Sequence, residues 1–177
     1  MDLSSGHKRP NSRRSWHSPG DRSVGGFTLI ELIVTVVIVG IFAAIAIPSF
    51  AGLIHRSNVR AGADELYDLL QYSRAEAVTR ITPVTISAPG GSSTNWAGDV
   101  TVAANTVLRR VGSAGLQPGI TVTTAVGSIV FSPTGTSSTS ACFQVAYAND
   151  ASTAPQFIAV QSSGRVTPPT SARPGGC

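Results

Sequence analysis

The pattern of apolar and polar positions begins with one long apolar run. From Leu32 to Ile54 there are 23 consecutive positions without a charged residue. A helix of that length spans ~34 Å at ~1.5 Å per residue, enough to cross the core of a bilayer. Beyond it, apolar residues recur at spacings of three and four up to Ile81, which predicts an amphipathic continuation. We expect one helix over residues 27–81, with a transmembrane segment at 27–54.

The remainder of the chain, residues 82–177, is rich in Thr, Ser, Val and Gly, a composition typical of short strands separated by turns. Glycine pairs and Pro-Gly steps separate the apolar stretches. The candidate strands are residues 83–88, 100–103, 106–111, 120–124, 128–131, 142–146 and 156–161. A helix whose apolar stripe packs on an antiparallel sheet is the economical arrangement, so the predicted fold class is α+β.

Charge is concentrated at the start of the chain. The formal net charge is +4, but five of the 13 basic residues precede Gly26. From Phe27 onward eight Arg oppose seven acids, which leaves +1 and little general attraction for polyanions. The basic excess before the apolar run places the N-terminus in the cytoplasm and the residues after Ile54 on the other side of the membrane.

A secretory signal peptide is the alternative interpretation of the apolar run. Residues 44–46, Ala-Ile-Ala, offer a small-residue cleavage pattern after an apolar stretch. Two features favour a different segment. The run is longer than an ordinary signal core, and Glu31 stands at its front, where a simple signal gains nothing from a carboxylate in an apolar layer.

The segment from Gly25 to Leu32, with the sequence GGFTLIEL, resembles the GFTLIE signature of type IV pilins and type II secretion pseudopilins. The resemblance implies that a prepilin peptidase removes residues 1–26 on the cytoplasmic side and methylates the new N-terminal residue, Phe27. It further implies a type IV pilin-like fold. The protein would be a single-pass inner-membrane protein whose β domain, residues 82–177, lies in the periplasm.

Glu31 has a specific role in this interpretation. A free amine on Phe27 would lie one helical turn before Glu31, at the i, i+4 spacing. The family's arrangement allows Glu31 to neutralise the amine of a neighbouring subunit, which relieves a cost of several kcal/mol for an unpaired buried charge. A carboxylate that reaches the membrane interface by itself is the alternative.

Later segments resemble the GspH/FimT family of minor pilins and pseudopilins. They are residues 73–80, 83–86, 107–109, 129–135 and 163–166. This resemblance implies a structural subunit of a priming complex at the filament tip, with other minor pilins and the major subunit as partners. A type IV pilus and a type II secretion pseudopilus share all of these motifs, so both remain open.

DNA capture during uptake is the alternative function. FimT-like members associated with DNA binding carry a GRxR pattern, whereas this chain has only Gly164-Arg165-Val166-Thr167, without the second Arg. Electrostatic binding to DNA needs several cationic contacts. The candidate contacts are Arg165, Arg173, Arg109 and Arg110.

Catalytic and metal chemistry is not predicted. From Phe27 onward there are one His, no Lys and two Cys, so no Ser/His/Asp triad, Cys/His pair or zinc cluster can be assembled. The acids Asp64, Glu65 and Asp68 lie on the helix with Arg60 and Arg74 near, which is typical of a solvated face. We expect no enzyme, no cofactor and no metal.

The two cysteines, Cys142 and Cys177, lie in the part expected outside the cytoplasm, where thiols usually pair. A disulfide between them would stabilise the fold by roughly 3 to 4 kcal/mol in the chain-entropy account. It would hold the Pro/Gly-rich tail against the sheet. Two free thiols and an intersubunit bridge are the alternatives.

Overall fold

A computed structural model of the protein describes residues 26–93, 96–111, 116–175 and 177. Within these ranges the chain forms one long helix followed by seven strands. The predicted leader, residues 1–26, lies outside the described residues except for Gly26. The boundary between two compact units of the chain falls within the helix, after Ile41.

Helix α1 extends from Leu29 to Arg80, 52 residues, close to the predicted 27–81. Its second half buries one stripe of residues at spacings of three and four. The stripe consists of Val59, Gly62, Ala63, Leu66, Leu69, Leu70, Ser73 and Ala77. Ser73 is the polar member, and its hydroxyl donates to the carbonyl of Leu69 at 2.7 Å, which satisfies it within the helix.

The strands are β1 (Val84–Ser87), β2 (Thr101–Ala103), β3 (Val107–Arg110), β4 (Ile120–Thr123), β5 (Ser128–Phe131), β6 (Ala141–Tyr147) and β7 (Gln156–Val160). All seven predicted strands are present. They divide between two antiparallel sheets, one in the order β3-β2-β1-β5 and one in the order β4-β6-β7. The α+β class is confirmed, whereas the division into two sheets was not predicted.

Both sheets and the second half of α1 contribute to one apolar core. Five of the seven strands alternate buried and more exposed positions, as in β4, so one face of each sheet is covered. The bulkiest fully buried side chains are Trp96, Phe131 and Phe143. The Trp96 ring meets Phe143 edge to face, with centroids 4.9 Å apart, and its Nε1 donates to the carbonyl of Val126 at 2.6 Å.

Gly62 allows α1 to approach β4 closely. A Cβ atom at this position would lie 2.4 Å from the Cδ1 atom of Ile120, far inside van der Waals contact. Both residues are buried. The glycine weakens the isolated helix by roughly 0.5–1 kcal/mol relative to alanine, and close packing against β4 is its structural reason.

The C-terminal end of α1 has Schellman geometry. The amide of Thr82 donates to the carbonyl of Ala77 at 3.3 Å, and the amide of Ile81 donates to that of Val78 at 3.4 Å. Ile81 has the left-handed φ of +52° that this motif requires. Glycine is the usual residue here, because a β-branched side chain is strained at positive φ.

The chain after β7 folds back along the outer edge of that strand. Phe157 and Thr170 exchange two backbone hydrogen bonds, at 2.8 and 3.1 Å, and Val160 pairs with Val166. The edge of the three-stranded sheet is therefore covered by the tail of the chain.

Candidate functional site

The first described residues contain the predicted processing motif. Gly26 and Phe27 precede α1 and are exposed, Phe27 to 83%. The Thr28 hydroxyl accepts a hydrogen bond from the amide of Glu31 at 3.2 Å, and the Thr28 carbonyl accepts from the amide of Leu32 at 3.2 Å. Thr28 is therefore the N-cap of the helix, and Glu31 is its third residue.

Glu31 contributes its backbone amide to this cap, and the sequence analysis missed the cap although Thr-x-x-Glu is the capping-box spacing. An acid in the first turn is favoured by the positive end of the helix dipole. The Glu31 carboxylate is exposed, and within the part of the chain that the structure describes it has neither an ion pair nor a hydrogen bond. It is thus accessible to a cation from another chain.

The apolar first half of α1 is exposed along its length. From Leu29 to Ile54 every large apolar side chain is at least 48% exposed. An 18-residue window of the helix has a mean hydropathy of 2.8, and none of it is buried by protein. By length and composition this helix can cross a membrane.

His55, the residue directly after the apolar run, connects α1 to the loop between β6 and β7. Its Nδ1 atom lies 2.6 Å from Oδ2 of Asp150, and its ring stacks on Tyr147 with centroids 3.8 Å apart. Asp150 also accepts from the hydroxyls of Ser152 (2.6 Å) and Thr153 (2.8 Å). The hydrogen bonds from Ser152, His55 and Thr153 hold the pKa of Asp150 well below its ordinary value. Sequence reasoning missed this cluster.

Cys142 on β6 and Cys177 in the tail form a disulfide, with an S–S distance of 2.02 Å and Cα atoms 5.2 Å apart. The predicted bridge is therefore present, and the described residues include no free cysteine. It ties the last residue of the chain to the middle strand of the three-stranded sheet. Together with the pairing of residues 166 and 170 to β7, it holds the tail at three positions.

Two of the four arginines considered for DNA contact are engaged within the protein. Arg109 and Arg110 lie on β3, at the edge of the four-stranded sheet. The guanidinium of Arg109 lies over the ring of Tyr72, 5.6 Å from its centroid, and Nε of Arg110 is 3.6 Å from Oδ2 of Asp99. Because of these contacts, the two guanidinium groups are less available to bind a polyanion such as DNA.

The other two arginines belong to the opposite sheet. Arg165 follows Gly164 in the turn after β7, and Arg173 lines a groove beside the disulfide. Thr167, which stands where the GRxR pattern has its second Arg, accepts a hydrogen bond from the amide of Ala159 at 2.8 Å. This position therefore has a structural role at the edge of β7.

Potential metal ligands do not cluster within the described ranges. No three His, Cys, Asp or Glu side chains there lie close enough together to hold a metal ion. Asp64 and Asp68 are exposed on α1, and Glu65 is half-buried. The features described are a capped, exposed N-terminal motif, an apolar helical segment and a disulfide-closed β domain.

Two family models match the chain. The model of type II transport protein GspH matches residues 62–164, and that of the prokaryotic N-terminal methylation motif matches residues 21–47. A search of curated proteins found no match.

Among solved structures, the chain is similar to the type IV minor pilin FimU of Pseudomonas aeruginosa in two crystal forms. The first has a TM-score of 0.58 and 21% identity, covering 67% of this chain and 92% of FimU. The second has a TM-score of 0.53 and 20% identity, covering 63% and 93%. At these identities the likeness establishes the fold.

Proposed function

The chain belongs to the GspH family of type II transport proteins, and from this premise we propose that it is a minor pilin or pseudopilin of a filament-priming complex. In this role it is a structural subunit at the tip of a type IV pilus or a type II secretion pseudopilus. Its partners are other minor pilins or pseudopilins and the major subunit.

The observation that carries the proposal is the two-part character of α1. Its first half exposes apolar side chains, whereas its second half buries a stripe in the β domain. An exposed apolar surface of this size requires a cover. The inner membrane covers it before assembly, with the N-terminus in the cytoplasm and the β domain in the periplasm, and helices of neighbouring subunits cover it in the filament.

Processing occurs at the start of the same helix. Prepilin peptidase cleaves between Gly26 and Phe27 and methylates Phe27. The match to the N-terminal methylation motif supports this step, as does the exposure of both residues ahead of the first helical turn.

After cleavage, the carboxylate of Glu31 pairs with the N-terminal amine of a neighbouring subunit. Its exposure and its lack of an ion pair among the described residues support this role. The interaction selects processed subunits, because an unprocessed neighbour has no amine at Phe27 and leaves the carboxylate unpaired in an apolar bundle.

Comparing Glu31→Gln with Glu31→Ala separates the charge of Glu31 from the rest of its polar side chain. Glutamine keeps the size and polarity of the side chain but removes the charge, whereas alanine removes both, and the cap is kept in both variants because its donor is the backbone amide of residue 31. We expect both variants to insert into membranes at the wild-type level and to be at least about tenfold less abundant in sheared filaments, since an unpaired buried charge costs several kcal/mol.

Carbonate extraction measures insertion, and quantitative mass spectrometry of sheared filaments measures incorporation. If only Glu31→Ala is impaired, a polar side chain at this position is sufficient and its charge has no role in assembly. Wild-type incorporation of both variants would show that Glu31 has no role in assembly.

DNA capture is not proposed as a second function. Arg109 and Arg110 already contact Tyr72 and Asp99, and Thr167 occupies the place of the missing arginine. No observation among the described residues favours a polyanion site.

A further inference from the structure

A groove of about 660 Å³ lies against α1 immediately after the apolar run. One wall is a face of the helix, on which the charged residues are Arg56, Arg60 and Asp64. The opposite wall comes from the start of β7 and the tail, and its members are uncharged. They are Ala154, Gln156 and Ser171.

The charged side chains of this groove are available to a ligand. Arg56, Arg60 and Asp64 are all exposed, and none has an ion pair within the described ranges. Four other arginines of the β domain and α1 do have partners. They are Arg74, Arg80, Arg109 and Arg110. Unengaged guanidinium groups one turn apart are suited to bidentate binding of a phosphate.

The charges of the groove follow a fixed order along the axis of α1, starting from the apolar run. Arg56 comes two residues after Ile54, the last residue of the apolar run, so it lies ~3 Å further along the helix axis. Arg60 and Asp64 follow at intervals of one turn, ~6 Å each. Moving away from the apolar segment, a ligand therefore meets two cations and then one carboxylate.

We propose that this groove binds the headgroup of a membrane phospholipid that carries a primary amine, as in phosphatidylethanolamine. Its phosphate lies next to the glycerol backbone at the membrane surface, and its ammonium lies beyond the phosphate. Arg56 and Arg60 bind the phosphate, and Asp64 accepts hydrogen bonds from the ammonium.

This inference rests on the proposed function, because it requires the apolar run to span the membrane with the β domain outside. The source of the phosphate is then a lipid of the adjacent leaflet, since the groove begins at the membrane surface. A bound headgroup holds the β domain at that surface until the subunit enters the filament.

The test uses the full processed chain, purified in a mild detergent and freed of lipid. Phosphatidylethanolamine and phosphatidylglycerol are titrated separately, and bound lipid is counted by native mass spectrometry. We expect Arg56→Gln/Arg60→Gln to bind phosphatidylethanolamine about tenfold more weakly than the wild type, because two charge-assisted contacts are lost.

The matched control is Arg165→Gln/Arg173→Gln, which removes the same charge from exposed positions outside the groove. Its lipid binding is expected to equal that of the wild type. Equal binding by the groove variant and the wild type, or an equal loss in the control, would overturn the proposal. The melting temperature of each variant is measured first, and lipid binding is compared among variants whose melting temperature equals that of the wild type.

Asp64→Asn tests whether the carboxylate recognises the amine. We expect it to weaken phosphatidylethanolamine binding about threefold and to leave phosphatidylglycerol binding equal or stronger, which lowers or reverses the preference between the lipids. An unchanged preference contradicts recognition of the amine. Displacement of the lipid by inorganic phosphate at equal concentration would reduce the groove to a phosphate site and overturn the lipid assignment.

Failure of the proposed function is detected separately. If the apolar run does not span the membrane, carbonate extraction will release the wild-type chain from membranes. The count of bound lipid is made in detergent, so it does not depend on membrane insertion. A membrane-anchored chain that fails the lipid titration contradicts only the headgroup site.

Discussion

Replacement of Ile81 by glycine is expected to stabilise the protein. Ile81 occupies the left-handed position that ends α1, with φ +52°, and its side chain is 79% exposed. The substitution therefore removes strain from the backbone and little buried apolar surface. The two closing hydrogen bonds are made by the backbone amides of Ile81 and Thr82, which glycine does not alter.

The size of the effect follows from two opposing contributions. A left-handed conformation costs an L-residue roughly 1–2 kcal/mol, and the cost for a β-branched residue is toward the upper end of this range. Glycine loses more conformational freedom on folding, which offsets roughly 0.5–1 kcal/mol. The net gain is about 1–1.5 kcal/mol, or an increase in melting temperature of roughly 2–6 °C.

The assay is thermal unfolding of the full chain in detergent, followed by circular dichroism. Ile81→Ala is the matched control, because it removes the side chain but keeps a Cβ atom in the left-handed region. We expect only glycine to raise the melting temperature. If alanine stabilises equally, the side chain rather than the backbone is responsible, and a decrease with glycine would refute the strain argument.

Three further substitutions test the β domain by thermal and pH-dependent unfolding of the full chain. Cys177→Ser opens a disulfide spanning 35 positions and should lower the free energy of unfolding by about 3–4 kcal/mol; a reducing agent must then leave the variant unchanged but destabilise the wild type. The pKa of Asp150 is lowered by folding, so its stabilising effect is complete above the unfolded pKa of about 4 and is lost as the pH falls below it. The wild type should accordingly lose more stability than Asp150→Asn between about pH 5 and pH 3, and parallel curves would contradict the assignment. Gly164→Ala places a Cβ atom 1.7 Å from the carbonyl oxygen of Gly135 at φ +80° and should cost about 2 kcal/mol or more, whereas Gly175→Ala, with no atom within 4 Å, should be neutral.

Local sequence patterns were sufficient to predict the helix and the strands. The strand Ser128–Phe131 was predicted with the bounds that the structure has, because an apolar stretch ends at a Pro-Thr-Gly turn signal. The helix end was predicted within a residue of Arg80, where the apolar periodicity stops. The Cys142–Cys177 pairing was predictable because no third cysteine competes.

Contacts between distant segments were not predictable, since they have no local signal. His55 and Asp150 are 95 positions apart, and each alone is an ordinary polar residue near an element end. The packing of Gly62 against Ile120 depends on where β4 lies, which no local pattern around Gly62 indicates. The division of the strands into two sheets depends on the same long-range pairing.

The most direct test of the central claim is the N-terminus of the mature protein. The chain is purified from the membranes of cells with an active prepilin peptidase, and its N-terminal peptide is identified by mass spectrometry. We predict that the chain begins at Phe27 and carries an N-methyl group. A chain that begins at Ile47 would identify the apolar run as a secretory signal, and an intact Met1 would exclude processing; either result would contradict the assignment as a pilin-like subunit.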